Sequence, residues 1–256
     1  MQLKILGCGS SMGVPRTDGY FGKCDPKEKK NYRTRCSALI KTKKNNILID
    51  TSPDLRIQLL NNNIKKIDKV FYSHMHADQT HGINDLRVFF IKHKKTIPVY
   101  ADIPTSKYLL KTFTYCFKKT YSEYPPILNL NKIKKKMIIR ENKKKIIIDS
   151  VSVKHGKVNS ICYIIDKKLA YISDVSEIKR SDYNFFKNLK YLIIDCLWYK
   201  KHPSHLNLDQ SLDLIRLFGP KKAILTNLHS ELDYNKLNEK LPNNVIPAFD
   251  GLTINF

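Results

Sequence analysis

Residues 73–82 read Ser73-His74-Met75-His76-Ala77-Asp78-Gln79-Thr80-His81-Gly82, directly after the apolar run Val70-Phe71-Tyr72. Side chains alternate along an extended chain, so His74, His76 and Asp78 leave the end of a strand on one side. Two imidazoles and a carboxylate in one small volume are nitrogen and oxygen donors suited to zinc, or to a harder ion such as manganese. Ions of this kind activate water, so hydrolysis is the chemistry the segment points to.

One ion needs further ligands, and three candidates stand at comparable places. His155 follows the alternating run Ile148-Asp149-Ser150-Val151-Ser152-Val153-Lys154. Asp174 follows Leu169-Ala170-Tyr171-Ile172-Ser173, and His229 follows Ala223-Ile224-Leu225-Thr226-Asn227-Leu228. Any one of them is an ordinary polar residue past a strand. Their recurrence beside the His-x-His-x-Asp segment argues for one constellation.

The rest of the chain frames that constellation. Alternating or continuous apolar runs predict strands at 2–6, 37–41, 46–50, 69–73, 97–101, 146–154, 161–166, 169–173, 190–195, 222–226, 245–248 and 252–255, with Met137-Ile138-Ile139 a short addition. Helices are expected from Ser52-Pro53 to about residue 61, and near 84–93, 104–117, 181–188, 208–218 and 233–240. Strand-rich halves that each finish in helices imply an α/β fold of two sheets covered by helices. No linker interrupts residues 1–256, so a single domain is expected.

Composition narrows the partners. The net charge is +23, carried by 38 lysines and only 8 arginines. A nucleic-acid groove interleaves arginine with aromatic residues, so most of this charge reads as solvated surface that attracts anionic substrates. Nucleic acid is therefore disfavoured as a partner. The apolar runs are too short to span a bilayer, and Met1–Gly7 reads as a first strand rather than a signal peptide. A cytoplasmic protein with no membrane partner is expected, its six scattered cysteines reduced.

These features resemble the metallo-β-lactamase-fold hydrolases, whose αββα sandwich of two mixed sheets carries a metal centre at the sheet edges. The resemblance runs over nearly the whole chain, including Leu6-Gly7-Cys8-Gly9-Ser10-Ser11, Ile47-Leu48-Ile49-Asp50 and Thr226-Asn227-Leu228-His229. Gly82-Ile83-Asn84-Asp85-Leu86-Arg87 and Tyr124-Pro125-Pro126-Ile127-Leu128 are similar to the subgroup of phosphoribosyl 1,2-cyclic phosphate phosphodiesterases. The resemblance implies that His74, His76 and His155 hold a first metal and Asp78 and His229 a second, with Asp174 bridging. Asp50 would steady the ligand loop from behind, or simply cap the turn that follows it. A homodimer is likewise implied by resemblance alone.

Position 79 departs from that pattern. The superfamily places histidine directly after the motif aspartate, and this chain has Gln79. An amide oxygen is a weaker and harder donor than imidazole. Two ions with an unequal second site, a weak manganese-preferring second site, and a single ion all fit; the first is the expectation, with Zn2+ or Mn2+ as cofactor.

The implied reaction is attack by a metal-bridging hydroxide on a small cyclic phosphodiester or nucleotide. A general acid must protonate the leaving oxygen. The relatives carry a histidine in the segment His202-Pro203-Ser204-His205, and His205, just before a predicted helix, matches it better. The alternative is a helix-start histidine packed near Trp198. Arg87 would pair with the phosphate, or with Asp85 or Asp54 instead. Ser11 lies in a small-residue turn that lets backbone N–H groups approach a phosphate. Two other readings stand beside this one: a tRNA 3′-processing-type endonuclease, and a non-catalytic nucleotide-binding protein with an eroded second site.

Overall fold

Two mixed sheets carry the chain, and a computed structural model describes residues 1–119, 124–141 and 144–256. The first half supplies β1 (Gln2–Gly7), β2 (Ser37–Lys41), β3 (Asn46–Ile49), β4 (Lys69–Phe71), β5 (Ile97–Ala101) and β6 (Leu128–Lys132). The second half supplies β7 (Lys136–Glu141), β8 (Lys144–His155), β9 (Val158–Ile165), β10 (Leu169–Ile172), β11 (Tyr191–Asp195), β12 (Lys222–Thr226) and β13 (Val245–Pro247). A last strand, β14 (Thr253–Asn255), returns to pair with β1. The sheet orders are β14-β1-β2-β3-β4-β5-β6 and β13-β12-β11-β10-β9-β8-β7. Pairing is parallel from β3 to β6 and from β10 to β13.

Alternation along the strands builds three apolar layers. Ile47 and Ile49 of β3 and Ile193 of β11 enter the layer between the sheets, together with Leu3, Phe71, Tyr163 and Tyr171. Leu48, one residue out of phase, faces an outer layer with Leu55, Leu59, Phe89 and Leu109. Leu192 and Ile194 face the opposite outer layer with Ile215, Phe218 and Leu237. Burying each such side chain is worth about 1.5–3 kcal/mol. The outer layers are closed by α1 (Leu55–Asn61), α2 (Ala77–Thr80), α3 (Arg87–His93), α4 (Ile103–Thr112) and α5 (Thr114–Phe117) on one side, and by α6 (Leu208–Phe218) and α7 (Tyr234–Lys240) on the other. The result is the αββα sandwich.

Several expected elements differ in detail. The helix expected over 104–117 breaks at Phe113, whose backbone leaves the helical region. Residues 181–188 form only a 3-10 turn, Arg180–Phe185. The helix after Ser52 starts at Leu55, with Asp54 as its cap residue. Strand β6 was not anticipated, although Leu128 and Leu130 alternate with asparagines as an edge strand should. Helix α6 is the most legible of all, with an Asn207–Gln210 capping box at one end and left-handed Gly219 at the other.

Candidate metal centre

Parallel strands end on the same side of a sheet, so the residues just past them gather at one edge of the sandwich. His74 and His76 follow β4, His155 ends β8, Asp174 follows β10, Asp195 ends β11 and Asn227 follows β12. Two bonds tie the sheets together beneath them, Ile161 N to Ser73 O at 2.9 Å and Tyr163 Oη to Tyr72 O at 2.6 Å.

His74, His76 and His155 converge on one point. His74 Nε2 lies 2.9 Å from His76 Nδ1, and His155 Nε2 lies 3.3 Å from the same atom. Nitrogens bound about 2.0–2.1 Å from zinc at tetrahedral angles sit about 3.3 Å apart, so the spacing is that of a ligand set. The tautomers agree. His155 Nδ1 donates to Ser204 O at 2.7 Å, which leaves the Nε2 lone pair facing the cluster. Burial, reinforced by the neighbouring His155 and His76, pushes His74 down to about 3, and burial also lowers His76. Imidazole nitrogens converging in this way fit a divalent cation.

A second cluster adjoins the first, with ligand-type atoms of His155, Asp174 and His205 within 4.8 Å of one another. Burial works to raise Asp174, but His74, His155 and His205 outweigh it and hold its carboxyl below the usual range. Asp78 behaves oppositely. Burial, with the Asp174 charge beside it, raises it to about 6. Two neighbouring carboxyls of this kind favour a nearby positive charge.

Gln79 is wholly buried and holds those carboxyls together. Its Nε2 donates to Asp78 Oδ2 at 3.2 Å and to Asp174 Oδ2 at 3.4 Å, while its Oε1 has no hydrogen-bond partner among the described residues. Asp50, in the left-handed region at φ 62°, accepts Ser73 N–H at 2.7 Å and so fixes the start of the ligand loop. Gly82 closes that loop against Ser52 O, where a Cβ would stand at 1.9 Å.

His205 is anchored from below. Its Nδ1 donates to Asp195 Oδ2 at 2.7 Å, and the same oxygen accepts Val175 N–H at 3.0 Å. Burial alone would lower His205, but the buried Asp195 carboxylate raises it to about 9. Its Nε2 makes no hydrogen bond among the described residues, and its ring centroid lies 4.6 Å from that of His155.

Two expectations are corrected here, those for His229 and Arg87. His229, expected at a second ion, joins neither cluster. Its backbone bonds to Leu197 O and its ring stacks on Trp198, with centroids 5.2 Å apart. The residue that β12 delivers to the site is Asn227, two positions earlier. Its left-handed backbone (φ 62°) lets Nδ2 reach Asp174 Oδ1 at 3.4 Å and Asp195 Oδ1 at 3.3 Å. Arg87 faces outward instead, lining a groove between α1 and α3 with Leu60, Ile64 and Ile91. The guanidinium that feels Asp78 is Arg35, held bidentately by Asp54. Ser11 is exposed and makes no hydrogen bond to the clusters; Ser10, whose N–H bonds to Leu228 O, is the buried hydroxyl of that turn. Asp195, absent from the residues expected above, also belongs to the site; it follows Tyr191-Leu192-Ile193-Ile194 just as Asp174 follows its own strand.

The comparisons agree with this architecture. A family model described as a beta-lactamase superfamily domain matches residues 45–227. A solved diphosphatase of the PhnP family is 30% identical over 100% of this chain and 97% of its own, with a TM-score of 0.87. Zinc-bound PqqB from Methylobacterium extorquens (15% identity, all of both chains, TM-score 0.80) and human tRNase Z, short form (14%, 100% and 99%, 0.72), share the fold. An octanoyltransferase of Porphyromonas gingivalis is 31% identical over 98% of this chain. The chain spans about half the length of that relative, 51%. No helix among the described residues is long and apolar enough to cross a membrane. With a matched profile over most of its length and convergent imidazoles at the expected sheet edge, the chain belongs to the beta-lactamase superfamily.

Proposed function

We propose that the protein hydrolyses small cyclic phosphodiesters of the phosphoribosyl or nucleoside kind. One observation carries the reading: a cluster of three imidazoles stands beside a carboxylate-anchored histidine, His155 and His205 having ring centroids 4.6 Å apart. Phosphodiester hydrolysis needs both elements, one to favour attack at phosphorus and one to protonate an alkoxide. The likeness to a diphosphatase of the PhnP family supports a phosphate ester over a lactam.

His74, His76 and His155 would hold a divalent cation, zinc or manganese by their donor chemistry, and bound there it supplies Lewis acidity toward water and phosphoryl oxygen. Asp174 and Asp78 face the same volume and orient polar groups entering it. His205 presents Nε2 and delivers its proton to the departing oxygen. Asp195 holds the ring in the Nδ1–H tautomer and stabilises its charged form. The net charge of +23 favours the approach of an anionic substrate.

The test is turnover of a 2′,3′-cyclic nucleotide and of bis-p-nitrophenyl phosphate with added Mn2+ or Zn2+. His76→Ala should abolish both activities together with metal binding. His205→Ala should slow the cyclic nucleotide about 100-fold or more while affecting p-nitrophenolate release far less. Equal losses on the two substrates would remove His205 from the acid role. No hydrolysis of either diester by metal-loaded protein would end the proposal.

A further inference from the structure

We propose that this centre takes one divalent cation per chain, on the three-imidazole face, because the side-chain amides of Gln79 and Asn227 occupy the place between the carboxylates where a second cation would sit. The inference rests on the metal-dependent reading above and deepens it.

Three acids crowd this edge of the sandwich: Asp78, Asp174 and Asp195. Two amide NH2 groups lie among them. Gln79 Nε2 spans Asp78 Oδ2 (3.2 Å) and Asp174 Oδ2 (3.4 Å). Asn227 Nδ2 spans Asp174 Oδ1 (3.4 Å) and Asp195 Oδ1 (3.3 Å), and lies 3.0 Å from His205 Nδ1. Both oxygens of Asp174 therefore face an N–H donor. A carboxylate that bridged two ions would turn an oxygen to each of them.

The orientation of Gln79 follows from electrostatics. Turned the other way, its carbonyl oxygen would stand 3.2–3.4 Å from two carboxylate oxygens, acceptor against acceptor. As placed, the NH2 faces the anions, and the cost is one buried carbonyl oxygen with no partner. For Gln79 to ligate a cation there, it would have to give up both N–H bonds. His229 brings no imidazole there, since it is stacked on Trp198 and joins neither cluster. His205 is committed at Nδ1 to Asp195.

The test is metal stoichiometry, which needs no substrate. Protein stripped with a chelator is reloaded with Zn2+ or, separately, Mn2+, desalted, and assayed by elemental analysis. One ion per chain is expected. Gln79→Glu is nearly isosteric and replaces the NH2 by an anionic oxygen, so it should bind two. Gln79→His, which offers an imidazole, should also bind two. A parent protein that holds two ions would overturn the inference while leaving the proposed function standing. So would two variants that both stay at one ion, because the amide would then not be what closes the second place. A parent protein that binds no ion at all would overturn both this inference and the metal-dependent reading.

Discussion

His205 Nδ1 lies 2.7 Å from Asp195 Oδ2, and that carboxylate is fully buried at the end of β11. An acid so placed sets the tautomer of the ring and keeps it protonated. Asp195→Asn keeps the shape but loses the negative charge. It should lower kcat for a cyclic nucleotide by about 100-fold and change p-nitrophenolate release by only a few-fold. Comparison of kcat for the two substrates checks it. A uniform loss on both would mean that Asp195 merely supports the fold.

Asp50 acts on the site at one remove. Its Oδ1 accepts Ser73 N–H at 2.7 Å, immediately before His74, and its other oxygen has no partner among the described residues. Burial raises its carboxyl well above the usual range. Asp50→Ala should weaken metal affinity about 10–100-fold, read by competition with a chromophoric chelator. Unchanged affinity would reduce Asp50 to a turn residue.

Gly82 is demanded by contact rather than by backbone angle. An added Cβ would meet Ser52 O at 1.9 Å and Leu55 Cβ at 2.9 Å. Neither neighbour can withdraw, since Ser52 O accepts the N–H of Leu55 and Ser52 is buried. Gly82→Ala should cost about 2–4 kcal/mol in denaturant unfolding, through overpacking and a displaced ligand loop. A loss below 0.5 kcal/mol would show that the loop gives way easily.

The Arg35–Asp54 pair gives a pH signature. Arg35 donates to Asp54 from Nε at 2.7 Å and from its own backbone N–H at 2.9 Å. Burial opposes ionisation of Asp54, but the guanidinium and the backbone donor prevail and hold its carboxyl below the ordinary value. A carboxyl depressed in the folded state contributes stability above its unfolded pKa of about 3.9, and that contribution is lost as pH falls through the folded value. Asp54→Asn should therefore cost about 1–2 kcal/mol at pH 7. The gap between variant and parent should shrink steadily as the solution is made more acid than that unfolded value. A gap that stays constant with pH would assign the cost to packing.

Much of the fold was legible because alternation carries it. Ile47, Leu48 and Ile49 announce a strand buried on both faces, and the structure divides them between two apolar layers. Asn207, Gln210 and Gly219 mark the ends of α6 by local hydrogen bonding. The break at Phe113 and the thin turn at Arg180–Phe185 were not legible, since both reflect what the helices pack against rather than their own periodicity. At the site, the His-x-His-x-Asp segment and His155 were readable as ligand-type residues past strands. Arg87 was misread because an arginine near a ligand loop in sequence stands on a helix whose outer side lines a different groove.

The amino-acid order alone determined which strands end in imidazoles and carboxylates, because period-two alternation and apolar runs are local properties. Whether a residue past a strand turns inward or outward depends on the backbone angles of one or two positions and on what already fills the space. That choice belongs to the tertiary structure: left-handed Asn227 enters the site, while His229 lies against Trp198. The same holds for Asp195, an unremarkable acid until the packing of β11 beneath the loop before α6 sets it against His205.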